Sequence, residues 1–520
     1  MTGTFYRKLC MLMVTVSLFG CKSGADHKGS WPLGVKYEVF VLSYADGNGD
    51  GKGDFTGLTQ KLDYLADLGI DGIWLMPIMK SPSYHKYDVT DYKSIHPDYG
   101  SVDDFKKFVA EAHRRNIKVI IDLILNHTGS DHPWFQSALK DPKSPYHDYY
   151  VWANKDSIRE QISKKGPSFD SDNITQWHPV NGDTLADHYY GFFWAGMPDL
   201  NFDNPRVRNE FVDIGKFWLQ DMGVDGFRFD AAKHIYPTER ATDNHAFWQS
   251  YRAELEKINP NVYLVGEVWS PAKDAAPYLK GIPSLFNFDM GYAITATVNA
   301  GIDTAHLISK YKEINDYYKS QASAYLDATF LKNHDQNRIL SELGGNKAKA
   351  RIAAGILLTL PGTPYLYYGE EIGMLGMKPD ESIREPFIWN APGKDPLQTS
   401  WEKPKYSNSE SVVPLSDQQN DQASLFACYK KLIHFRNDND IMLRGSLDNS
   451  GITLQEVVSF KRTLDGRELL VLNNVSDVEV TLPLTGELSK FDDISLDVLN
   501  TAILSKGEIR LPAYSTVILN

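Results

Sequence analysis

Near-continuous apolar runs alternate with amphipathic stretches along most of this chain. The runs VKYEVFVLS (35–43), GIWLMP (72–77), KVIIDLIL (118–125), GFRFD (226–230), VYLVGEVW (262–269), SLFNFD (284–289), DATFLKNH (327–334) and PYLYYG (364–369) predict strands. Several lack the alternating polar positions of a half-exposed strand, as expected for parallel strands covered on both faces. Helical patterns fall between them. In SVDDFKKFVAEAHRRN, Ser101 can cap, Asp104 can answer it three residues on, and Phe105, Phe108, Val109 and Ala112 line one face. In LTQKLDYLADLG, Leu58, Leu62 and Leu65 do the same and Gly69 closes the helix. Eight strands with helices between them predict an α/β fold, a (β/α)₈ TIM barrel.

Two regions break the rhythm. Residues 128–200 are rich in Trp, Tyr, His and Asp and predict an inserted domain after strand three. Residues 439–520 carry short alternating segments (LQEVVSFKRT, ELLVLNNVS, EIRLPAYSTVILN) and predict a C-terminal antiparallel β-sandwich. The barrel would then occupy 33–127 and 201–438, with DQASLFACYKKLIHFRND as its last helix.

The N-terminus changes the picture of where the protein works. Arg7 and Lys8 precede an apolar run, Leu9 to Phe19, too short to span a bilayer. It ends in LFGC, the pattern of a lipoprotein signal with Cys21 as lipid acceptor. Residues 1–21 are expected to be the signal and 22–32 a tether, giving an exported protein anchored to a bacterial membrane only through its lipid. Of the 3 cysteines, Cys428 alone remains unmodified in the mature chain, so no intramolecular disulfide forms. The net charge of −13 argues against nucleic acid and acidic polymers as partners and suits a neutral substrate; a monomer is expected.

Candidate chemistry gathers at the strand C-termini, where barrels place their sites. Strand three ends toward Asp122, Asn126 and His127; strand four carries Arg228 and Asp230; strand five leads to Glu267; strand seven leads to His334 and Asp335. Asp230, Glu267 and Asp335 thus reach one mouth from three strands. A glycosidic bond is cleaved by two flanking carboxyls, one a raised-pKa acid and the other a nucleophile or base. Arg228 stands two residues before Asp230, on the same side of the strand, and would keep it ionised.

A second cluster lies in YADGNGDGKGDFTGL (44–58). Asp46, Asn48, Asp50 and Asp54, with the backbone carbonyl of Lys52, form an oxygen set suited to calcium. The loop starts like an EF-hand, but its twelfth position is Gly57 rather than Glu. It is expected to stiffen the first βα loop rather than to take part in the chemistry.

DLILNH (122–127), MPDLN (197–201), GFRFDAAKH (226–234), GEVW (266–269), FLKNHDQNR (330–338) and SYHKYDVTDY (83–92) resemble the ordered motifs of the α-amylase family of glycoside hydrolases. The resemblance implies that Asp230 is the nucleophile of a retaining reaction, Glu267 the acid and base, and Asp335 the group that stabilises the distorted sugar. His127, His334 and Tyr87 would hold that sugar, and Arg228 would serve Asp230. Lys233 and His234 would contact sugars on the leaving side, as in members that cut α-1,4 bonds. Asn126, Asp199 and the His234 carbonyl would hold a second calcium. Glu370, Glu371 and Arg384 would play supporting parts, and Trp134, Trp152, Trp177 and Trp194 could offer sugar platforms. The implied activity is endo-type α-1,4-glucan hydrolysis on starch, glycogen or maltooligosaccharides. An α-glucosidase, an oligo-1,6-glucosidase and a glycosyl-transferring relative share the same carboxylates and stay open, as does an inactive starch-binding protein.

Overall fold

The computed structural model describes residues 30–164, 176–180 and 187–520. The expected signal peptide, its Cys21 and most of the tether lie outside these residues.

Eight parallel strands form one sheet: β1 (Lys36–Val39), β2 (Gly72–Leu75), β3 (Lys118–Leu123), β4 (Gly226–Phe229), β5 (Tyr263–Gly266), β6 (Ser284–Phe286), β7 (Leu326–Ala328) and β8 (Tyr365–Tyr367). Each pairs with its sequence neighbour, and β1 also pairs with β8. A bridge between Phe330 and Tyr365, with Tyr365 N donating to Thr329 O at 2.8 Å, closes the ring. All eight predicted strands are present, but shorter. The run at 35–43 stops pairing at Val39 and turns into the helical segment Val41–Tyr44. Strand seven stops at Ala328, so His334 and Asp335 sit on the loop beyond it.

Side chains alternate in and out along each strand. Trp74, Ile120, Val265, Phe286, Ala328 and Tyr365 point inward and form the apolar filling of the barrel. A much larger cluster packs the outer faces of the strands against the helices. The predicted capping box is formed: Ser101 Oγ accepts from Asp104 N, and Val102–Arg114 buries Phe105, Phe108, Val109 and Ala112. The next pattern is two helices, Phe55–Gln60 and Leu62–Leu68, because the backbone leaves helical geometry at Lys61. Gly69 ends the second at φ 93°, a conformation that costs glycine little.

The insertion after β3 holds the helix Pro133–Lys140 and a three-stranded sheet of Trp152–Ala153, His188–Tyr190 and Trp177–Pro179. Its two ends are zipped together: His127 bridges Asp199, and Leu200 N donates to Asn126 O at 2.9 Å.

At the C-terminus, β9 (Ser446–Asn449), β10 (Val457–Leu464), β11 (Arg467–Asn474), β12 (Val480–Pro483), β13 (Ile494–Asp497), β14 (Ile503–Ser505), β15 (Glu508–Leu511) and β16 (Ser515–Leu519) build two antiparallel sheets, β9-β10-β11-β16-β13 and β12-β15-β14. Leu470, Leu472, Leu482, Ile509, Leu511 and Val517 fill the space between them. EIRLPAYSTVILN thus supplies a strand to each sheet, turning at Tyr514 with φ 50°. The larger sheet docks on the barrel helix Lys347–Thr359, where Gly355 lets Thr516 approach so closely that a Cβ would clash. Buried Arg462 on β10 donates to Thr359 O at 2.8 Å and satisfies a carbonyl at that helix's end. Cys428 is buried and free, and no helix among the described residues is long and apolar enough to cross a membrane.

Candidate active site

The inward alternation that fills the barrel with apolar groups ends, one layer higher, in charges. Asp122 and Arg228 are register partners on β3 and β4, and Arg228 is level with Val265 on β5. Two residues further on, Asp230 and Glu267 therefore emerge at the same height. Arg228, 0 % exposed and above the Trp74 ring, binds all three neighbouring acids. Its Nη1 donates to Asp122 Oδ1 at 2.9 Å and to Asp230 Oδ1 at 2.5 Å. Its Nη2 stands 2.9 Å from Glu267 Oε2, an ion-pair contact rather than an aligned hydrogen bond.

One guanidinium does not neutralise three buried carboxylates, and the proton affinities show it. Burial pushes Glu267 up to about 7, the charges of Asp230 and Asp335 add to the rise, and Arg228 opposes it. Burial likewise lifts Asp122 to about 7 against Arg228. At neutral pH Glu267 is thus poised to hold a proton beside a carboxylate whose partner is a fixed cation.

The opposite side of the mouth is built differently. His334, fully buried, faces Glu38 Oε1 through Nδ1 at 2.5 Å and Asp335 Oδ2 through Nε2 at 3.1 Å. Burial opposes the imidazolium, but Asp335 and Glu38 outweigh it and lift His334 to about 10. Burial pushes Asp335 up as well, yet His334 and Arg384 overcome that and hold its carboxyl well below the usual range. Arg384 Nη2 donates to Asp335 Oδ1 at 2.9 Å, and its Nη1 to Tyr84 Oη at 3.1 Å.

Tyr87 joins the two halves. Its hydroxyl lies 2.6 Å from His334 Nε2 and donates to Asp122 Oδ2 at 3.1 Å. Its ring lies parallel to His334, with centroids 5.6 Å apart and planes within 11°. His127, lowered to about 4 by burial, is neutral and places Nε2 3.3 Å from Tyr87 O.

Lys233 and His234 follow in a short 3₁₀ turn that starts at Ala231, φ 46°. Lys233 Nζ donates to Trp269 O at 2.9 Å, and His234 stacks on Phe192 with centroids 4.0 Å apart. Trp269, 37 % exposed, lies flat on Phe288 and donates to Tyr292 Oη at 3.1 Å, so an open aromatic surface flanks Glu267. Of the four insertion tryptophans, Trp194 is the exposed one at 50 %, whereas Trp134 and Trp152 pack among other rings. Glu370 and Glu371 lie buried behind the mouth, bonded by Tyr429 and by Tyr37 and Tyr64.

Asn126, Asp199 and His234 meet at the neck of the insertion. Asn126 Nδ2 donates to Asp199 Oδ2 at 3.3 Å and to His234 O at 2.5 Å, while its Oδ1 faces His127 Nδ1 at 3.1 Å. That arrangement asks neutral His127 for two N–H groups, one toward Asn126 Oδ1 and one toward Tyr87 O; it has one. Turning the amide over resolves this, because Nδ2 then donates to Nδ1. Asn126 Oδ1 then stands 3.3 Å from Asp199 Oδ2 and 2.5 Å from His234 O, oxygen contacts that a hard cation would satisfy. Burial raises Asp199 well above the ordinary range, and no cationic side chain pairs with it among the described residues.

In the first βα loop, Asp46 Oδ1 accepts from Gly49 N at 2.6 Å and its Oδ2 from Gly51 N at 2.7 Å, with φ 85° and 89° at these glycines. Asn48 Oδ1 accepts from Asp50 N, Asp50 Oδ1 from Lys52 N, and Asp54 caps the following helix. Asp46 and Asp54 are buried and lack a cationic partner among the described residues; burial raises Asp54, with the Asp46 charge contributing. All four oxygens of that pair accept backbone N–H groups of the loop, and a divalent cation would supply the positive charge the pair lacks. Asp50 stays exposed and Lys52 Nζ pairs with Asp98 at 2.9 Å. Among the described residues, no three His, Cys, Asp or Glu side chains gather as a metal site by themselves.

Sequence reasoning missed Glu38 and Trp269 as parts of the mouth. Glu38 has a visible signal, since a carboxylate inside a buried strand needs a cation; which cation it meets depends on barrel closure.

With this geometry in hand, comparison with known proteins is direct. The family description "Alpha amylase, catalytic domain" matches residues 38–445, and "Alpha-amylase SusG C-terminal domain" matches 457–518. The chain is 42% identical to Alpha-amylase 3 of Dictyoglomus thermophilum over 93% of its own length and 92% of the relative's. It is 37% identical to a 4-alpha-glucanotransferase of Thermotoga maritima, covering 86% of this chain and 96% of that one. The crystal structure of an alpha-amylase from H. orenii superposes with a TM-score of 0.83 at 43% identity, over 94% of this chain and 99% of that one. The chain belongs to the α-amylase family of glycoside hydrolases. It is an enzyme of that class, and its relatives include both hydrolases and a transferase.

Proposed function

We propose that the protein hydrolyses internal α-1,4 bonds of starch, glycogen or maltooligosaccharides with retention of the α anomer. Asp230 attacks the anomeric carbon while Glu267 gives its proton to the departing glycosidic oxygen. Glu267 then takes a proton from water, which breaks the covalent glycosyl intermediate on Asp230. Asp335, held anionic by His334 and Arg384, faces the positive charge that develops on the sugar. The observation that carries this reading is the pairing of a guanidinium-bound Asp230 with a Glu267 lifted to about 7 on the adjacent strand. Lys233 and Trp269, beside Glu267, favour the α-1,4 assignment as contacts for the leaving sugars.

Calcium completes the proposal. Asn126, Asp199 and His234 O would hold one ion at the neck; Asp46, Asn48, Asp50, Lys52 O and Asp54 would hold another in the first βα loop. The ions supply rigidity there and no step of the reaction. Export and lipid attachment at Cys21 rest on the N-terminal sequence; a C21S variant recovered in the soluble rather than the membrane fraction would support them.

The deciding measurement is a product profile on amylose with the anomer followed by NMR, alongside maltoheptaose, panose and isomaltose. Short α-anomeric maltooligosaccharides from amylose support the reading. Isomaltose cleavage without cleavage of internal α-1,4 bonds, or products longer than the maltoheptaose supplied, would replace it with a 1,6-glucosidase or a transferase.

A further inference from the structure

Across the mouth from Glu267 lies a cavity of about 340 Å³, walled by the loops that follow β1 and β2 and by Trp401. β1 and β5 stand four strands apart in the eight-stranded ring and so face each other. Glu267 rises from β5 and protonates the leaving oxygen, which sends the departing sugars to its side. The sugars retained on Asp230 extend the other way, toward this cavity. Two hydrogen bonds connect it to the centre: Tyr84, on its wall, accepts from Arg384, which donates to Asp335.

Lys86 also lines the cavity, and its state is unusual. It is 1 % exposed, yet its ammonium donates to Ser83 O only at a long 3.4 Å, and Nζ otherwise sits 4.9 Å from the centre of the Tyr99 ring. Asp98, the carboxylate on the same wall, is bonded by Lys52 instead. A buried ammonium with donors left over is costly unless something fills the space beside it. Its backbone is at φ 65°, the left-handed region that a side chain rarely occupies and that a glycine would adopt freely. Burial brings the ammonium down to about 8, so at pH 7 most molecules still carry the charge. Next to it, the Tyr84 and Trp401 rings lie parallel, 5.5 Å apart and 20° from coplanar, and both are partly exposed. Ser400 N donates to Gly51 O at 2.7 Å, which pins the segment carrying Trp401 to the acidic loop.

A polyol fits this setting: hydroxyl oxygens accept from the ammonium, and the apolar face of a pyranose packs against the aromatic pair. We propose that Lys86 reads the far end of the retained glucan, donating to the hydroxyls of a glucosyl unit seated against Tyr84 and Trp401. It thereby sets the enzyme's preference for glycone length. This inference rests on the α-glucan reading of the site above.

The test uses the full chain and 4-nitrophenyl α-glycosides that keep one leaving group while the glycone grows from glucosyl to maltopentaosyl, with products resolved by chromatography. In the wild type, kcat/KM for release of nitrophenol rises once the glycone reaches the cavity. K86M and K86G, the second relaxing the backbone at φ 65°, should match the wild type on the short glycosides. Both should lose about tenfold or more on the long ones, the value of hydrogen bonds from a charged donor. An equal loss at every length, or none at any length, overturns the role of Lys86. A wild type that cleaves none of the series would instead overturn the α-glucan reading.

Discussion

The β5 corner and the β7 corner of the mouth hold the same kind of group in the same kind of place, and the two behave oppositely. Glu267 is 9 % exposed and the Asp335 side chain 30 %, and both carboxyls stand at the same end of the barrel. Glu267 shares one guanidinium with Asp122 and Asp230, so burial wins and its proton stays on to about 7. Asp335 has an imidazolium and a guanidinium beside it, His334 being fixed as a cation by Glu38, so charge wins and its proton leaves early. Desolvation is common to both; the ratio of cations to carboxylates decides. One corner is thereby suited to giving a proton and the other to facing a positive charge.

The comparison can be broken in graded ways. The largest effect is expected from D230N, which removes the nucleophile between the two corners: activity on soluble starch should fall by on the order of 10⁴-fold or more with the fold intact by circular dichroism. Persistent activity would show that Asp230 is not the attacking group. E267Q comes next, with a loss of about 10²–10⁴ on starch and a much smaller one on α-maltosyl fluoride, whose leaving group needs no proton.

The same corner fixes the alkaline limb. Glu267 must be protonated for the first step, so kcat/KM should fall as pH rises through about 7. A limb above pH 9 would remove Glu267 from the acid role.

R384Q probes the other corner and should cost about 10–100-fold in kcat/KM. Because Arg384 lowers the Asp335 proton affinity, its loss raises that affinity and moves the acid limb upward while leaving the alkaline limb in place. Movement of the alkaline limb instead would mean that the two corners titrate together.

Chelation should have the smallest effect. If each ion binds the folded state alone, EDTA should lower Tm by ~3 °C per site held at 100 times its dissociation constant. Activity at a temperature well below the transition should be preserved. A loss of turnover at unchanged Tm would place a metal in the chemistry.

Much of this protein was legible from its sequence because the periodicities are local. A buried parallel strand writes itself as an apolar run, a capped helix as Ser101 with Asp104, and a strand-end acid as a polar residue following such a run. Ordered motifs located Asp230, Glu267 and Asp335, and residue spacing alone put Arg228 on the same side as Asp230. Strand ends were less legible, since Val41 and Thr329 to Leu331 are as apolar or β-prone as the strands they follow; pairing partners, not propensity, end a strand.

What the sequence could not decide is which charges share space. Glu38 is 296 residues from His334, and Lys86 is one lysine among many until closure of the barrel buries it beside a cavity. Local chemistry fixes which groups can ionise; only the tertiary structure brings distant cations and carboxylates within a few ångströms in a dry interior, where Coulomb energy is large enough to choose which of them do.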